Sequence, residues 1–239
     1  MLTRTSPERA QAGVTLIELA VTLVVFALLI AMGAPSFVNR IRNAEVRNAA
    51  NSVMAGLQKA REEAVRRNAV VYFSFVSLTD PKVMDASCAL SSSAGSWVVS
   101  LDSPSSDCHG QPEGKTTGVK DSSCSGTSGS NLWCKPYIIE AHAAADGGAN
   151  VSVAGKGSDN ATAATRILFN GLGRAWTTAG PFARPDGGTD AGAQCIDVSS
   201  SSAETGLRQL RVEVSDSGAV RMCDRGITDT TDPRRCRAC

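Results

Sequence analysis

The sequence predicts an α+β fold, in which one long N-terminal helix packs on an antiparallel β-sheet head with loop insertions. Three observations predict it. A long apolar run, residues 14–35, leads into a charged stretch with helical spacing, residues 36–69. Short β-branched and aromatic runs follow in residues 70–239. All eight cysteines lie in this last region, which indicates folding in an oxidising compartment. The net charge of +1 gives no general attraction to nucleic acids or acidic substrates.

Residues 1–13 form a polar leader that we expect to be removed. A secretory signal has its small cleavage residue after the apolar segment, whereas Gly13 stands before it. Cleavage after Gly13 would therefore keep the apolar helix. The run from Val14 to Ala34 contains 21 residues, close to the ~20 that span a bilayer. A membrane anchor is the simplest reading of this run, and Pro35 marks the place where its helix is expected to bend or break.

A single carboxylate, Glu18, interrupts the apolar run near its start. A charge within the hydrocarbon costs ~2.5–3.5 kcal/mol, so such a residue normally has a partner. Cleavage after Gly13 would create a free amine on Val14, one helical turn away. In an array of parallel helices, the amine of a neighbouring chain could neutralise Glu18. The pair would then set the stagger between subunits, as buried polar groups set register in coiled coils.

The amphipathic stretch of residues 36–69 is expected to continue this helix into the head. Its apolar residues recur mostly at three- and four-residue spacing: Phe37, Ile41, Ala44, Val53, Leu57, Ala60 and Ala64. Residues 39–67 hold seven Lys or Arg and three Glu, an excess of four positive charges. A solvated helix face explains this excess better than a contact with acidic lipids or an acidic partner. At ~1.5 Å per residue, a helix from Val14 to about Asn68 is too long to bury its first half in its own head. That half is expected in a membrane or in a fibre core.

The head is expected to contain short antiparallel strands. Five runs have strand composition: residues 70–76, 97–101, 137–141, 151–154 and 166–170. Residues 206–223 predict a hairpin that turns at Asp216–Gly218. The Ser- and Gly-rich stretch at about 102–135 has little potential to form a core, so we expect a disulfide-containing surface insertion there.

Several motifs resemble one family of filament proteins. The segment G-V-T-L-I-E, which starts at Gly13 and opens the apolar helix, resembles the class III leader of type IV pilins and type II secretion pseudopilins. A-R-x-E-A-V-R-R, F-N-G-L-G-R, G-x-V-R-M-C-D and D-P-R-R-C are similar to motifs of the GspH/FimT (FimT/FimU-like) branch of minor pilins. The resemblance is strong over the first 76 residues, moderate over the last 75 and weak from about 77 to 164.

The resemblance implies a pilin-like fold and roles for four residues. Gly13 would be the residue after which a prepilin peptidase cuts, and Val14 the new, N-methylated terminus. Glu18 would be the assembly carboxylate, and Pro35 the helix-distorting proline. The implied location is the inner membrane, crossed once, with a periplasmic head, and later a pilus or pseudopilus at the cell surface.

The function that the resemblance implies is a non-enzymatic one. The chain would be a minor pilin that helps to initiate assembly of a type IV pilus at or near its tip. The implied partners are other minor and major pilins, the prepilin peptidase and the inner-membrane assembly platform. Two alternatives stay open: a type II secretion minor pseudopilin, and a DNA-binding minor pilin for natural transformation. The latter would use Arg234, Arg235 and Arg237 to contact DNA phosphates, although a solvated basic tail explains them as well.

Strand geometry restricts the pairing of the cysteines. The predicted hairpin places Cys223 opposite Arg211. If the Ser-rich turn at 199–206 closes a second hairpin, Cys195 also lies opposite Arg211, on the other side. Two strand spacings, ~9–10 Å, would then separate the two cysteines, which is beyond disulfide reach. Cys223–Cys236 is therefore the favoured pair.

The other cysteines are expected to form structural disulfides as well. Cys195 is left to pair with Cys239 or elsewhere, Cys124–Cys134 would close the insertion, and Cys88–Cys108 would be its companion bridge. The C-R-A-C motif of residues 236–239 follows the predicted hairpin and does not begin a helix, and no second C-x-x-C is present, so a redox site or a zinc site is disfavoured.

No catalytic chemistry is expected. The two histidines, His109 and His142, are not at metal-ligand spacing, and His142 reads as an ordinary surface or packing residue. The sequence offers no Ser/His/Asp set, phosphate loop or pair of carboxylates. We therefore expect no enzyme activity, no metal site and no cofactor.

Overall fold

Secondary structure in the described part of the chain consists of one long α-helix, one 3-10 helix and ten β-strands. The computed structural model describes residues 13–85, 87–104, 108, 137–146, 150–176, 192–202, 206–237 and 239, without the side chains of residues 32–36. The chain divides into two units, residues 1–41 and 42–239, and each is described by itself. The helix, α1, comprises Leu16–Arg67 and contributes residues to both units.

In the part of the first unit that the structure describes, residues 13–15 lead into the N-terminal part of α1. The Thr15 hydroxyl accepts a hydrogen bond from the Glu18 amide at 3.3 Å, which is the arrangement of an N-cap. Glu18 is an acid in the first helical turn, where the positive end of the helix dipole favours it. The large apolar side chains from Val14 to Ile30 are all more than half exposed. Apolar surface therefore dominates the described stretch from Val14 to Ile30.

The second unit contains the strands. Their bounds are β1 Val71–Ser77, β2 Ala89–Leu90, β3 Ser96–Ser100, β4 Ile138–His142, β5 Val151–Lys156, β6 Arg166–Phe169, β7 Ala175–Trp176, β8 Cys195–Ser200, β9 Gln209–Val214 and β10 Val220–Asp224. The 3-10 helix, Ala144–Asp146, follows β4. The strands form a six-stranded sheet with the order β4-β3-β1-β6-β7, in which β2 also pairs with β1, and a four-stranded sheet with the order β10-β9-β8-β5. The strand pairs of both sheets run antiparallel.

Strand β1 is buried on both faces, which explains its nearly continuous apolar sequence. Phe73 and Phe75 belong to the main core, where Phe73 stacks on Trp97 with the ring centroids 5.4 Å apart. Val76 belongs to a second cluster that includes Cys88 and other buried residues. This central strand therefore separates two apolar layers.

The second part of α1 supplies the helical side of the main core. Its fully buried residues recur at three- and four-residue intervals: Val46, Ala50, Val53, Leu57, Ala60 and Ala64. They belong to one cluster with residues of both sheets, among them Phe73, Ile196 and Val212. Gly56 permits a close approach, because a Cβ at this position would lie 2.8 Å from atoms of the Phe73 and Trp97 rings.

A Schellman motif ends α1 and directs the chain into β1. Asn68 adopts a φ of 49°, in the left-handed region. The Ala69 amide donates to the Ala64 carbonyl and the Asn68 amide donates to the Val65 carbonyl, both at 3.2 Å. These bonds satisfy carbonyl groups that would otherwise lack partners at the end of the helix.

Two glycine turns meet beside the helix. Gly173, in the turn between β6 and β7, has a φ of 72°, and Gly218, in the turn between β9 and β10, has a φ of 78°. A Cβ on Gly218 would lie 1.9 Å from the Gly173 carbonyl oxygen. Arg61 Nε donates a hydrogen bond to the same oxygen at 3.0 Å. One turn of each sheet is thus joined to α1 at this point.

Substituting Gly218 by Ala is expected to lower the free energy of unfolding by more than the ~1–2 kcal/mol that a left-handed backbone costs a residue with a Cβ. The additional loss comes from the collision with the Gly173 carbonyl. Gly206→Ala is the matched control, since Gly206 has a φ of 87° but no heavy atom within 4 Å of its Cβ position. Urea unfolding of both variants measures the difference. Equal losses would show that the two turns do not press on each other.

The predicted α+β fold with a helix packed on antiparallel strands is confirmed. The strands divide between two sheets. β2 and β7 were not predicted, and β8 was expected only on the condition that the turn at 199–206 closes a second hairpin. β2 and β7 have two residues each, which is too short for a periodic signal. Of the expected insertion at 102–135, only residues 102–104 and 108 are described.

Two finer features differ from the sequence pattern. Phe37, Ile41 and Ala44 are exposed, and the buried stripe of α1 begins at Val46. Cys195 lies opposite Glu213 instead of Arg211. The connection between β8 and β9 is eight residues long, from 201 to 208. A connection of this length does not fix strand register as a two-residue turn does.

Candidate functional site

The expected processing position lies immediately before α1. Val14 is 74% exposed, and no heavy atom lies within 4 Å of the position that a Cβ on Gly13 would occupy. The described residues therefore leave the bond between Gly13 and Val14 uncovered. Residues 1–12, the rest of the expected leader, lie outside the described residues.

Glu18 is exposed in the first turn of α1, amid the apolar side chains of the first unit. Pro35 lies within the residues assigned to α1, and its side chain is outside the described set. Within the part of the chain that the structure describes, no helix combines the length and the apolar character that crossing a membrane requires.

A second candidate site is the outer face of the four-stranded sheet, the face turned away from the main core. Successive side chains of a strand point to opposite faces, and Ile196, Val198 and Val212 belong to the main core. Strand alternation and pairing therefore place another set on the outer face: Lys156, Cys195, Asp197, Arg211, Glu213, Arg221 and Cys223. The outer face is thus charged, with cysteines on two of its strands.

A buried ion pair lies at the centre of the outer face. Arg211 and Asp197 are 4% and 6% exposed. Arg211 Nε donates to Asp197 Oδ1 at 2.6 Å, and Arg211 Nη2 donates to Asp197 Oδ2 at 3.2 Å. Lys156 Nζ and Arg225 Nη1 approach Oδ2 at 3.1 and 3.3 Å. Three cations thus surround one carboxylate.

These cations decide the ionisation of Asp197. Burial alone raises the pKa of the Asp197 carboxyl, because it penalises the charged form. Hydrogen bonds from Arg211 and Lys156, with the nearby charge of Arg225, outweigh the burial and hold this pKa below its ordinary value. The carboxylate is therefore ionised at neutral pH although it is buried.

Two disulfides hold the C-terminal tail, residues 232–239, against the outer face. Cys223–Cys236 joins the tail to β10, and Cys195–Cys239 joins it to β8. Because β9 lies between these strands, the tail crosses three strands. Arg211 Nη1 donates to Cys239 Sγ at 3.0 Å, so the end of the tail contacts the buried ion pair directly.

The structure thus brings together Cys223 and Cys236, the pair favoured from strand geometry, and it joins Cys195 to Cys239. Cys88 and Cys108 also form a disulfide, and both are buried. Cys124 and Cys134 lie outside the described residues.

The tail arginines that were considered for DNA contact differ in their surroundings. Arg234 Nη2 lies 2.7 Å from Asp232 Oδ2, so its charge is already paired. The Arg235 carbonyl accepts a hydrogen bond from Arg221 Nη2 at 3.1 Å, and the Arg237 amide donates to Glu213 at 2.7 Å. Arg235 and Arg237 are exposed. The backbone that carries these arginines is therefore held in place by the two tail disulfides.

Glu213, Cys223 and Cys236 come close enough to hold a metal ion. Both sulfur atoms are engaged in the disulfide, however, and metals bind the thiolate form. His142 stacks on Trp97 with the ring centroids 5.3 Å apart, on the edge strand β4. The His142 ring therefore packs against the Trp97 ring.

A further charged cluster lies at the end of α1, around Glu63. The carboxylate is 5% exposed, and it is bonded to Arg66 at 2.6 Å, Arg67 at 2.9 Å and Lys59 at 3.4 Å. Burial raises the pKa of Glu63, but hydrogen bonds from Arg66 and Arg67, with smaller contributions from the charge of Arg66 and from Lys59, bring it to about 2. The helix end therefore carries an ionised acid held by three cations.

Substituting Glu63 by Gln is expected to lower the free energy of unfolding at pH 7 by about 2–3 kcal/mol. The folded-state pKa is depressed from 4.5 to about 2. The stabilisation is therefore fully present above pH 4.5, and it is lost as the pH falls towards 2. Denaturant unfolding from pH 7 to pH 2.5 should show the parent and the variant converging below pH 4.5. A difference that does not change with pH would contradict this account.

Sequence reasoning did not single out Asp197, Arg211 or Glu63. A signal was present for Asp197, since the run C-I-D-V alternates core residues with others, as a strand does. Glu63 lies four residues before Arg67 and four after Lys59, which is the spacing of helical ion pairs.

Two family models and a solved structure are similar to this chain. The family model described as Type II transport protein GspH matches residues 49–218, and the model of the prokaryotic N-terminal methylation motif matches residues 9–34. No curated protein matches. A solved structure, the type IV minor pilin FimU of Pseudomonas aeruginosa (strain PAO1), is similar at 16% identity and a TM-score of 0.37, over 77% of this chain and 97% of that chain. The methylation motif implies processing by a prepilin peptidase and assembly with other pilins. Because the first model matches more than half of the 239 residues, the chain belongs to the GspH family of pilins and pseudopilins.

Proposed function

We propose that this chain is a non-enzymatic subunit of a type IV pilus, a minor pilin that helps to initiate assembly at or near the tip. The first unit is the observation that carries the proposal. Its apolar helical surface begins directly after the Gly13–Val14 bond and holds one acid, Glu18, in its first turn. The methylation motif over residues 9–34 supports cleavage after Gly13 and methylation of Val14.

The apolar surface of the first unit requires a non-aqueous environment. Twelve large apolar side chains between Val14 and Ile30 are more than half exposed, and burying one such side chain contributes roughly 1.5–3 kcal/mol. Parallel copies of similar helices, packed side by side in a filament, would cover them. Before assembly, the inner membrane would hold this helix, with the head in the periplasm and the assembly platform beside it. Pro35 would let the helix adjust its direction between these two settings.

Glu18 gives the packed helices a defined stagger. An acid among apolar side chains needs a counter-charge, and the amine of a processed Val14 on the next subunit can supply it. Only one axial offset brings the two groups together. The ion pair would thus select one register among the many that an apolar surface alone would allow.

Membership of the GspH family favours a second candidate, a minor pseudopilin of type II secretion. Both kinds of subunit would use the same processing position and the same apolar helix. A DNA-binding role draws less support, because Arg234 is paired with Asp232. Arg235 and Arg237 remain exposed for such a contact.

Deletion of the gene, with complementation from a plasmid, tests the proposal. Surface pili, secreted proteins and DNA uptake are measured in the deleted strain. Loss of pili that the natural chain restores is expected. Normal pili with lost secretion would favour the pseudopilin, and normal pili with lost DNA uptake would favour the DNA receptor. Complementation with an Arg234→Ala/Arg235→Ala/Arg237→Ala variant is the matched control, since it should restore pili fully if these arginines serve DNA alone.

A further inference from the structure

We propose that the head reaches its native disulfides through thiol–disulfide isomerisation, which makes this chain a substrate for a disulfide isomerase. The inference rests on the order of four cysteines. Along the chain they follow as Cys195, Cys223, Cys236 and Cys239, but the outer pair and the inner pair are bonded. The bonds are therefore nested, and neither forms between the first two cysteines to appear.

Pairing in order of appearance would give Cys195–Cys223 and Cys236–Cys239. A head that is translocated into an oxidising compartment in sequence order exposes Cys195 and Cys223 to the oxidant before the tail follows. The two residues between Cys236 and Cys239 leave the second pair close at all times, as in other C-x-x-C segments. Both non-native bonds are thus accessible early.

The folded sheet cannot contain the Cys195–Cys223 bond. The two residues lie on β8 and β10, on opposite sides of β9, so two strand spacings of ~4.8 Å separate them. They are also offset along the sheet, because Cys195 pairs with Glu213 and Cys223 pairs with Arg211. A disulfide needs Cα atoms within about 7 Å. The early bond must therefore be broken before β8, β9 and β10 can pair.

Thiol–disulfide exchange can resolve the misbridged chain without net oxidation. A thiolate of the isomerase attacks Sγ of Cys223, forms a mixed disulfide and releases the Cys195 thiolate. That thiolate attacks Sγ of Cys239, forms Cys195–Cys239 and releases the Cys236 thiolate. The Cys236 thiolate then attacks Sγ of Cys223 in the mixed disulfide, forms Cys223–Cys236 and returns the isomerase thiolate. The two starting disulfides, Cys195–Cys223 and Cys236–Cys239, were formed earlier by a disulfide oxidant, which accepted the four electrons.

Contacts on the outer face favour the native pairs once the sheet has formed. Arg211 holds Cys239 Sγ beside β8. The Arg237 amide, next to Cys236, donates to Glu213 on β9. These contacts place each tail sulfur at its native partner. In the folded chain Cys195 and Cys223 are 1% and 3% exposed, so exchange has to be completed before the tail closes over the face.

Oxidative refolding of the full mature chain in detergent tests the proposal. The reduced, denatured chain is oxidised by a small-molecule disulfide without free thiol, and samples are alkylated with time. Trypsin cleaves after Arg208, Arg221, Arg225 and Arg237, which puts the four cysteines on separate peptides. Mass spectrometry without reduction then counts each pairing. We expect Cys195–Cys223 and Cys236–Cys239 to dominate at first, and a catalytic amount of reduced disulfide isomerase to speed the native pairs by at least ~10-fold.

Two variants serve as controls, and the Cys88–Cys108 disulfide of the natural chain serves as an internal control. Cys195→Ser/Cys239→Ser leaves Cys223 and Cys236, and Cys223→Ser/Cys236→Ser leaves Cys195 and Cys239. In each variant the native bond should form at the same rate with and without the isomerase. Cys88–Cys108, whose partners follow each other along the chain, should also form directly. The proposal is overturned if the natural chain forms its nested bonds equally fast without the isomerase, or if the early pairs never accumulate.

Discussion

A Glu18→Ala variant is expected to be synthesised and processed normally but to enter filaments at least ~10-fold less than the natural chain. Removing one member of a desolvated ion pair costs ~3–5 kcal/mol, because the other member stays charged in apolar surroundings. Here the stranded group would be the amine of Val14 on a neighbouring subunit. Each ~1.4 kcal/mol corresponds to a factor of ten in an equilibrium, so even a partly solvated pair would produce a loss of this size.

The measurement is the ratio of this subunit in sheared filaments to the subunit left in membranes, by quantitative immunoblot. Glu18→Gln should behave like Glu18→Ala, because the charge carries the effect. Glu18→Asp keeps the charge on a shorter side chain and should recover part of the incorporation. Thr22→Ala is the matched control on the same helix, since the Thr22 hydroxyl donates to the Leu19 carbonyl of its own helix at 2.9 Å. It should enter filaments like the natural chain.

A competing explanation for Glu18 lies in the structure itself. Thr15 caps the helix by accepting a bond from the Glu18 amide, and an acid in the first turn stabilises a helix by only ~0.3–1 kcal/mol. If helix stability were the reason for the acid, Thr15→Ala should reduce incorporation as much as Glu18→Ala. If the two chains pair through Glu18, Thr15→Ala should have the smaller effect. Equal losses would defeat the ion-pair account.

Local sequence could predict the elements whose signal is local. The apolar stripe from Val53 to Ala64 gave the helix in the core, because burial follows the 3.6-residue period. The hairpin that became β9 and β10 was predicted because Asp216–Gly218 demands a turn, and the structure places Gly218 at a φ of 78° there. Such features can be predicted without knowing which residues from distant parts of the sequence they contact.

The rest depends on residues far along the chain. β8 alternates as a strand does, but its sequence does not show that Cys195 and Asp197, on the face turned away from the core, are buried too. Both are buried in the structure, because the tail, about 40 residues later, is bonded over them. Asp197 alone looks like a loop residue, and only its contacts with Arg211, Lys156 and Arg225 make its burial possible. The local sequence pattern does not indicate that Asp197 has partners on three other segments.

The first unit shows a different limit. Phe37 and Ile41 continue the helical pattern of the core residues, yet they are 65% and 47% exposed. The helical period identifies one face of α1 but does not say what covers it. The chain's own head covers that face from Val46 onward. We infer that other subunits cover the same face of α1 before Val46.

The buried pair on the outer face should produce the largest stability effect in the head. Arg211→Met is expected to lower the free energy of unfolding by about 3–5 kcal/mol, because it leaves Asp197 buried without its two-point partner. Met keeps an unbranched apolar stem in place of the Arg methylenes, so the packing along the stem is retained. Lys156 and Arg225 still face Asp197 Oδ2, but each reaches only one oxygen.

A double-mutant cycle separates the ion pair from other consequences of the change. Asp197→Asn, Arg211→Met and the double variant are unfolded in urea in the same detergent, and a coupling energy above about 1.5 kcal/mol is expected for a pair in direct contact. Arg234→Ala is the matched control, since Arg234 bonds Asp232 at 2.7 Å but its side chain is 76% exposed. Exposed pairs contribute at most about 1 kcal/mol. Should Arg211→Met cost no more than Arg234→Ala, the pair at the centre of the outer face would be no stronger than a surface contact, and the cohesion of the sheet would have to come from the two tail disulfides instead.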